Sequence, residues 1–273
     1  MYSSLSLIEG NPIGTIVGGS MNRKIVKIKP SDKKINTEFT IKDDGVIVPF
    51  YIKQLDGEFP NRIVISGPSL CGKSYFAKEL AQNYSEDFPD NRIALFTGIP
   101  RIKDNIFACD QCRNKDEDDK KAKKKIYKCF CSKIMRIKCD ESILDDPIDL
   151  GELSNTLAIF DDVDRVPNKE VAKELNLLRD KVMNSGRHDN TDLMSISQIL
   201  LEGKKTKTSL TNAFQLVCFP VSGGRYQIKE YLKRYMSLDS HIVDKVINLP
   251  SRWVILNNCK PLYVLYEKGC FIV

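Results

Sequence analysis

The stretch Gly67-Pro68-Ser69-Leu70-Cys71-Gly72-Lys73-Ser74 has the spacing G-x-x-x-x-G-K-[ST]. In that pattern a glycine-rich loop folds its backbone N–H groups around a polyphosphate, the lysine reaches the β- and γ-phosphates, and the final hydroxyl ligates Mg²⁺. Lys73 and Ser74 are therefore the expected phosphate and metal residues, and the loop through Tyr75 the expected cradle. Ile63, Val64 and Ile65 before it suit a buried parallel strand, and Phe76 and Leu80 lie four apart on one face of a helix after it. A strand, a loop and a helix N-terminus in that order bind an anion, here the phosphates of a nucleotide.

Two further strand ends carry polar groups of the right type. Leu157-Ala158-Ile159-Phe160 is apolar and runs into Asp161-Asp162, so Asp161 is placed to hold Mg²⁺ through a water and Asp162 to orient or deprotonate an attacking water. In a parallel sheet the carboxyl ends of the strands share one edge, which brings this pair to the loop. The strand Asp192 to Gln198 ends in an amide that can hold the lytic water, or that simply caps the next segment. Arg187, ahead of that strand, reads either as an arginine finger close to the catalytic edge that serves a neighbour's nucleotide or as a surface loop residue.

Cys109-x-x-Cys112 and Cys129-x-Cys131 form two close pairs, a donor set suited to a structural, tetrahedral Zn²⁺ or left as unpaired thiols. Between them an acidic run, Asp116 to Asp119, precedes a lysine-rich run, Lys120 to Lys125, of the kind that forms a solvated tip. His188 and His241 have no evident catalytic partner.

The elements that must position these groups alternate along the chain. Strands are expected at Asn91–Thr97, 157–160, 192–198 and 213–219, with a helix over Val171 to Val182 closed by Gly186 and later helices at 226–235 and 240–248. That alternation predicts an α/β fold, a P-loop NTPase with a doubly wound, mostly parallel sheet. Residues 1–20, rich in Ser and Gly, read as a flexible leader, and Met21 as a second possible start. Residues 21–60 read as a small β element in which 38–41 pairs with 46–51 across Asp43-Asp44-Gly45. The core spans 61–225 with a cysteine-rich insert at 101–141, and 226–273 holds helices and a terminal hairpin.

The chain has 273 residues, 42% hydrophobic and 29% charged, which is the make-up of a folded domain rather than of a disordered chain. Its net charge of +6 admits a polyanionic partner without requiring one. No apolar run approaches the ~18 residues of a membrane span, and no export signal opens the chain. Nine cysteines in that setting point to a reducing, cytoplasmic compartment.

In sequence order, the Walker A loop, Ile159-Phe160-Asp161-Asp162-Val163, Gly186-Arg187-His188-x-Asn190-Thr191 and a strand ending in Gln198 resemble the genome-packaging ATPases of poxviruses and other nucleocytoplasmic large DNA viruses. These belong to the FtsK–HerA superfamily of DNA-pumping ATPases. The resemblance covers roughly residues 61–220. It implies an added strand between the P-loop and Walker B strands, ATP hydrolysis, a homo-oligomeric ring around double-stranded DNA, and capsid proteins as further partners. The usual Glu after the first Walker B acid is Asp162 here, one methylene shorter, and the cysteine insert and β additions fall outside the shared core. Two other functions fit the residues: a nucleotide kinase with a zinc-bearing lid, and a nucleotide-dependent scaffold that hydrolyses slowly. A kinase lid comes late in the chain, whereas this insert precedes Walker B. Guanine specificity is disfavoured, since Asn168-Lys169-Glu170-Val171 lacks the Asp of N-K-x-D.

Overall fold

A computed structural model describes residues 2–53, 59–113 and 129–273. It divides into two compact units, Met1–Cys71 with Gln198–Val273, and Gly72–Ser197. Neither follows the expected segment boundaries, because strands far apart in sequence pair with one another.

The first unit opens with β1 (Tyr2–Ser6), β2 (Asn11–Val17), β3 (Ile25–Ser31), β4 (Glu38–Thr40), β5 (Val46–Pro49) and β6 (Arg62–Ser66). The second holds α1 (Lys73–Asp87), β7 (Arg92–Thr97), α2 (Asp110–Arg113), β8 (Ile134–Lys138), α3 (Ser142–Asp145), β9 (Thr156–Asp161), α4 (Lys169–Ser185) and β10 (Asp192–Ser197). The chain then returns to the first unit with α5 (Lys204–Asn212), β11 (Gln215–Cys218), α6 (Arg225–Arg234), α7 (Ser240–Ile247), β12 (Val254–Asn257), β13 (Tyr263–Tyr266) and β14 (Gly269–Ile272).

In the first unit β1, β3, β2 and β5 form an antiparallel sheet in that order. The expected flexible leader is thus two of its four strands. Leu5, Ile13 and Ile16 point inward with Val26, Ile28 and Ile47, and all are buried. The glycines that suggested flexibility mark turns instead. Gly10 has φ +112°, and a Cβ there would stand 2.5 Å from the Ile28 carbonyl oxygen. The expected hairpin across Asp43-Asp44-Gly45 does not form either. β4 pairs with β14, Phe39 opposite Cys270, while β5 pairs with β2, Val48 opposite Thr15. The turn is held from outside: Ser20 donates to the Asp43 carboxylate through its N–H at 2.7 Å and its hydroxyl at 2.6 Å. Lys268 donates to the Asp43 and Gly45 carbonyls.

The rest of this unit runs β4-β14-β13-β12-β11-β6, antiparallel except for the last pair. β6 and β11 are parallel with Ser66 opposite Cys218, so the segments leaving their carboxyl ends share an edge. The expected C-terminal hairpin is β12 and β13, and β14 adds a third strand to it.

In the second unit four parallel strands run β10-β9-β7-β8. Ile93 to Phe96 and Leu157 to Phe160 are fully buried, as continuous apolar runs in a sheet covered on both faces must be. The Phe96 and Phe160 rings stack at 4.4 Å across the β7–β9 pair. α1 buries Phe76, Ala77, Leu80, Ala81 and Tyr84, and α4 buries Val171, Leu175, Leu178 and Val182. Asn168 caps α4 by accepting from the Glu170 and Val171 N–H groups, so Asn168-Lys169 has a structural role. Gly186 ends α4 in ordinary right-handed geometry. A Cβ there would press on the Thr191 oxygen at 3.1 Å and on Val182 at 3.2 Å, a fit a few tenths of an ångström too tight for a side chain.

Since β1 and β2 supply buried side chains worth roughly 1.5–3 kcal/mol each, a chain begun at Met21 should not retain its N-terminal sheet. Limited proteolysis should then cut within residues 21–53, which should resist cleavage in the full chain; equal resistance in both would return residues 2–17 to the role of a leader.

Candidate nucleotide-binding site

The chemistry of the second unit gathers where β9 ends. Asp161 is its last residue, paired with Thr97 of β7, and is only 7% exposed. Ser74, in the first turn of α1, brings its hydroxyl to 3.4 Å from Asp161 Oδ1. Lys73 is buried, and its charge helps Asp161 ionise. Burial nevertheless pushes the Asp161 carboxyl up to about 6, assisted by the negative charges of Asp162 and Asp104 and opposed by Ser74 and Lys73. A buried acid under that strain is relieved by a cation. Two oxygens 3.4 Å apart approach the ~3 Å edge of an octahedron with 2.0–2.1 Å bonds. The pair fits Mg²⁺, which Ser74 and Asp161 would hold.

α1 begins at Gly72, φ +102°, with no side-chain cap and no acidic residue in its first turn. Its N-terminal dipole is left uncancelled by any neighbouring carboxylate on the helix, as an anion site requires.

Asp162 follows in left-handed backbone, φ +50°, and its N–H donates to the Ile196 oxygen at 3.1 Å. A non-glycine residue in that region costs about 1–3 kcal/mol and turns the chain sharply off the strand. The turn is anchored by Arg179 of α4, 3% exposed, whose Nη1 lies 3.4 Å from both Asp164 carboxylate oxygens. Sequence reasoning missed this anchor. Its signal was an arginine four residues after Leu175, on the apolar stripe of α4.

In the first unit the leading half of the loop is closely packed at Gly67. A Cβ at Gly67 would meet Cys71 Sγ at 2.9 Å and the Phe219 ring at 3.0 Å, so any larger residue would force those side chains to shift. Leu70 has φ +65° and is fully exposed. Ser69 donates its hydroxyl to Gln198 Oε1 at 2.9 Å, which ties the loop to the residue after β10. Within this unit the structure brings together two of the sequence-predicted residues, and Cys71 leads by one peptide bond to Gly72 and Lys73.

Arg187 falls elsewhere. It is exposed in the turn Gly186–Asp189 that precedes β10. That turn packs at the amino end of β9, where the Asn155 N–H donates to the Asp189 oxygen and Asn190 Nδ2 to Asn155 Oδ1 at 2.7 Å. Asp161 is at the opposite end of the six-residue strand, roughly 20 Å away at ~3.3 Å per residue. The expectation that Arg187 lies close to the catalytic edge is therefore corrected. The residues of Gly186-Arg187-His188-x-Asn190-Thr191 build a tight turn, with Asn190 in left-handed backbone and Thr191 Oγ1 donating to the Leu153 oxygen.

The four insert cysteines converge. Cys112 Sγ is 3.3 Å and Cys109 Sγ 3.8 Å from Cys129 Sγ, and the three sulfurs lie within 4.8 Å of one another. Cys131 packs with them and with Ala108. The Cys112 N–H lowers the Cys109 thiol, while burial raises Cys112 and Cys131. Tetrahedral zinc with 2.3 Å bonds sets its sulfurs about 3.8 Å apart, so the donor set fits. The charged runs 116–119 and 120–125 lie outside the described residues. The same insert carries Asp104, 6% exposed, which accepts from the Ile106 and Phe107 N–H groups and from Arg136 Nη1 at 2.6 Å. Arg136 of β8 also donates to the Ile99 oxygen beyond the end of β7.

No family model matches the chain. It is 25% identical over 276 residues to the uncharacterized protein V3 of the Sputnik virophage, covering 98% of both chains. Among solved structures it is similar to the pCW3 conjugation coupling protein TcpA, determined as a monomer with ATPγS. The identity there is 10%, the coverage 94% of this chain and 77% of that one, and the TM-score 0.50. The genome packaging NTPase B204 of Sulfolobus turreted icosahedral virus 2, with AMPPCP, aligns at 10% identity over 76% of this chain and 97% of its own, TM-score 0.47. The fold is the mixed α/β fold of P-loop NTPases, and no described helix is long and apolar enough to cross a membrane.

A folded-state value near 6 for Asp161, above the 3.8 of an unperturbed Asp, has a definite sign. Folding disfavours the ionised form, so metal-free stability falls as pH rises from about 4 to about 6, and Asp161→Asn should abolish that fall. Mg²⁺ competes with the same proton. Calorimetric titration should show Mg²⁺-dependent nucleotide affinity weakening more steeply as pH drops through about 6 in the wild type than in Asp161→Asn, which keeps only the nucleotide's own phosphate titration.

Proposed function

We propose that the chain is an ATP hydrolase whose turnover drives the movement of double-stranded DNA, as in packaging a viral genome into its capsid. The observation that carries the hydrolase reading is the convergence of Lys73, Ser74 and a buried Asp161 at the end of a parallel strand. The loop Gly67–Ser74 cradles the phosphates, Lys73 reaches the β- and γ-phosphates, and Ser74 and Asp161 hold Mg²⁺, which spreads the charge of the transferring phosphoryl group. Asp162, turned off the strand beside them, orients or deprotonates the attacking water, and the amide of Gln198 fixes it. The DNA-moving half of the reading rests on the order of motifs in the sequence, and is supported by the shared fold with a conjugation coupling protein. A ring of identical chains around DNA, contacting capsid proteins, follows from the same resemblance. Arg187 has no part in its own chain's phosphate chemistry in this reading. It serves a neighbouring chain across the ring interface.

Cys109, Cys112, Cys129 and Cys131 hold one structural Zn²⁺, which closes the base of the insert. Such sites supply on the order of 10 kcal/mol of local folding free energy. Purified protein should carry one zinc per chain by metal analysis, lost in a Cys109→Ser/Cys112→Ser variant whose insert becomes protease-sensitive while nucleotide binding survives. Protein made with ample zinc and holding none would remove the site.

Phosphate release measured with and without duplex DNA, and with nucleoside monophosphates, tests the function. Stimulation by DNA is expected; transfer to a monophosphate would mark a kinase, and neither response a scaffold. Lys73→Ala should lose ATP binding, whereas Asp162→Asn should keep it and turn over roughly 10²–10⁴-fold more slowly. Arg187→Ala should regain turnover when mixed with Lys73→Ala, since each supplies what the other lacks.

A further inference from the structure

We infer that Ser69 is the positioning residue for Gln198: its hydroxyl sets the position of the amide that handles the lytic water. The inference rests on the hydrolase reading above and adds a residue to it. Ser69 is the third residue of the phosphate loop, and Gln198 is the residue immediately after β10. Their side chains meet directly, Ser69 Oγ donating to Gln198 Oε1 at 2.9 Å.

The chemistry of an amide makes that contact consequential. A glutamine side chain has an acceptor end and a donor end, nearly the same in shape and opposite in function. The hydroxyl tethers the amide to the loop. A serine hydroxyl accepts as well as donates, so it does not choose between the two ends of the amide; it fixes where the amide lies. Without the hydroxyl that tether is lost, and the side chain can swing to other rotamers away from the water it would hold.

The loop backbone makes Ser69 a fixed point. Pro68 before it locks its own φ. Gly67 is wedged between Cys71 and Phe219, and Leu70 after it is held in left-handed backbone. Gly223, in the segment after β11, lies against Pro68, its Cβ position 3.7 Å from the proline ring. Ser69 itself is exposed, so its hydroxyl contributes little to the packing of the unit. A role in the fold and a role in positioning Gln198 therefore give different signatures.

The test compares Ser69→Ala, Ser69→Thr, Gln198→Ala and the double variant Ser69→Ala/Gln198→Ala, with Lys73→Ala as reference. Each is assayed for steady-state ATP hydrolysis, ATPγS affinity and thermal unfolding. Loss of one neutral hydrogen bond predicts a fall in kcat of about five- to tenfold for Ser69→Ala, with ATPγS affinity and Tm unchanged. Ser69→Thr, which keeps the hydroxyl and has room for a methyl, should restore the rate. The double variant should be no slower than Gln198→Ala alone, because the serine acts only through the glutamine. Turnover of Ser69→Ala at or above the wild-type rate overturns the inference, as do losses that multiply in the double variant. If Lys73→Ala and Gln198→Ala also hydrolyse ATP normally, the hydrolase site itself is misassigned; if both are impaired and only Ser69→Ala is not, this inference alone falls.

Discussion

The burial of one carboxylate constrains the second unit of this molecule. Asp161 stands at the end of a fully apolar strand with Asp162 beside it and Asp104 close enough to be felt, and its ionised form is costly there. Lys73 and the Ser74 hydroxyl relieve part of that cost, and both reach it only because α1 starts where the loop delivers it. The remainder favours a divalent cation. The site is thus a place where burial disfavours a carboxylate's charge and a cation would offset it.

Asp104 carries the same constraint into the insert. Its buried pairing with Arg136 at 2.6 Å offsets a second carboxylate near Asp161, and the two backbone N–H groups it accepts shape the segment leading to Cys109. Arg136 follows closely on Cys131, the last cysteine of the cluster. The sulfur cluster therefore sits between two segments that each contribute one member of the ion pair. An insert that looks peripheral in the sequence thus supplies a carboxylate whose charge reaches Asp161.

The two chain ends are joined in a comparable way. β4 hydrogen-bonds to β14, and Lys268 holds the turn at Asp43 and Gly45. β14 in turn continues through β13, β12 and β11 to β6, the strand that feeds the phosphate loop.

What the sequence determined by itself was whatever depends on residues close along the chain. The phosphate loop, the apolar run into Asp161-Asp162, the helices α1 and α4, and the paired cysteines were all legible, because spacing of 3.6 or 2 and a fixed loop length are local properties. The reading of residues 1–20 as a leader failed for the complementary reason. A short strand rich in Ser and Gly looks unstructured until its partner is known, and the partner of β2 lies on both sides of it, at β3 and β5. Pairing of 38–41 with 46–51 was the local solution, and tertiary structure chose the remote one. The end of the sheet occupied by Arg187 was likewise decided by which way β9 and β10 run and where the turn before them packs. Arg179–Asp164 and Ser69–Gln198 join residues 15 and 129 positions apart, and no periodicity announces such contacts. Propensity and pattern act over one turn or one strand, whereas the orientation of a side chain toward a distant partner is fixed only when the backbone has closed around both.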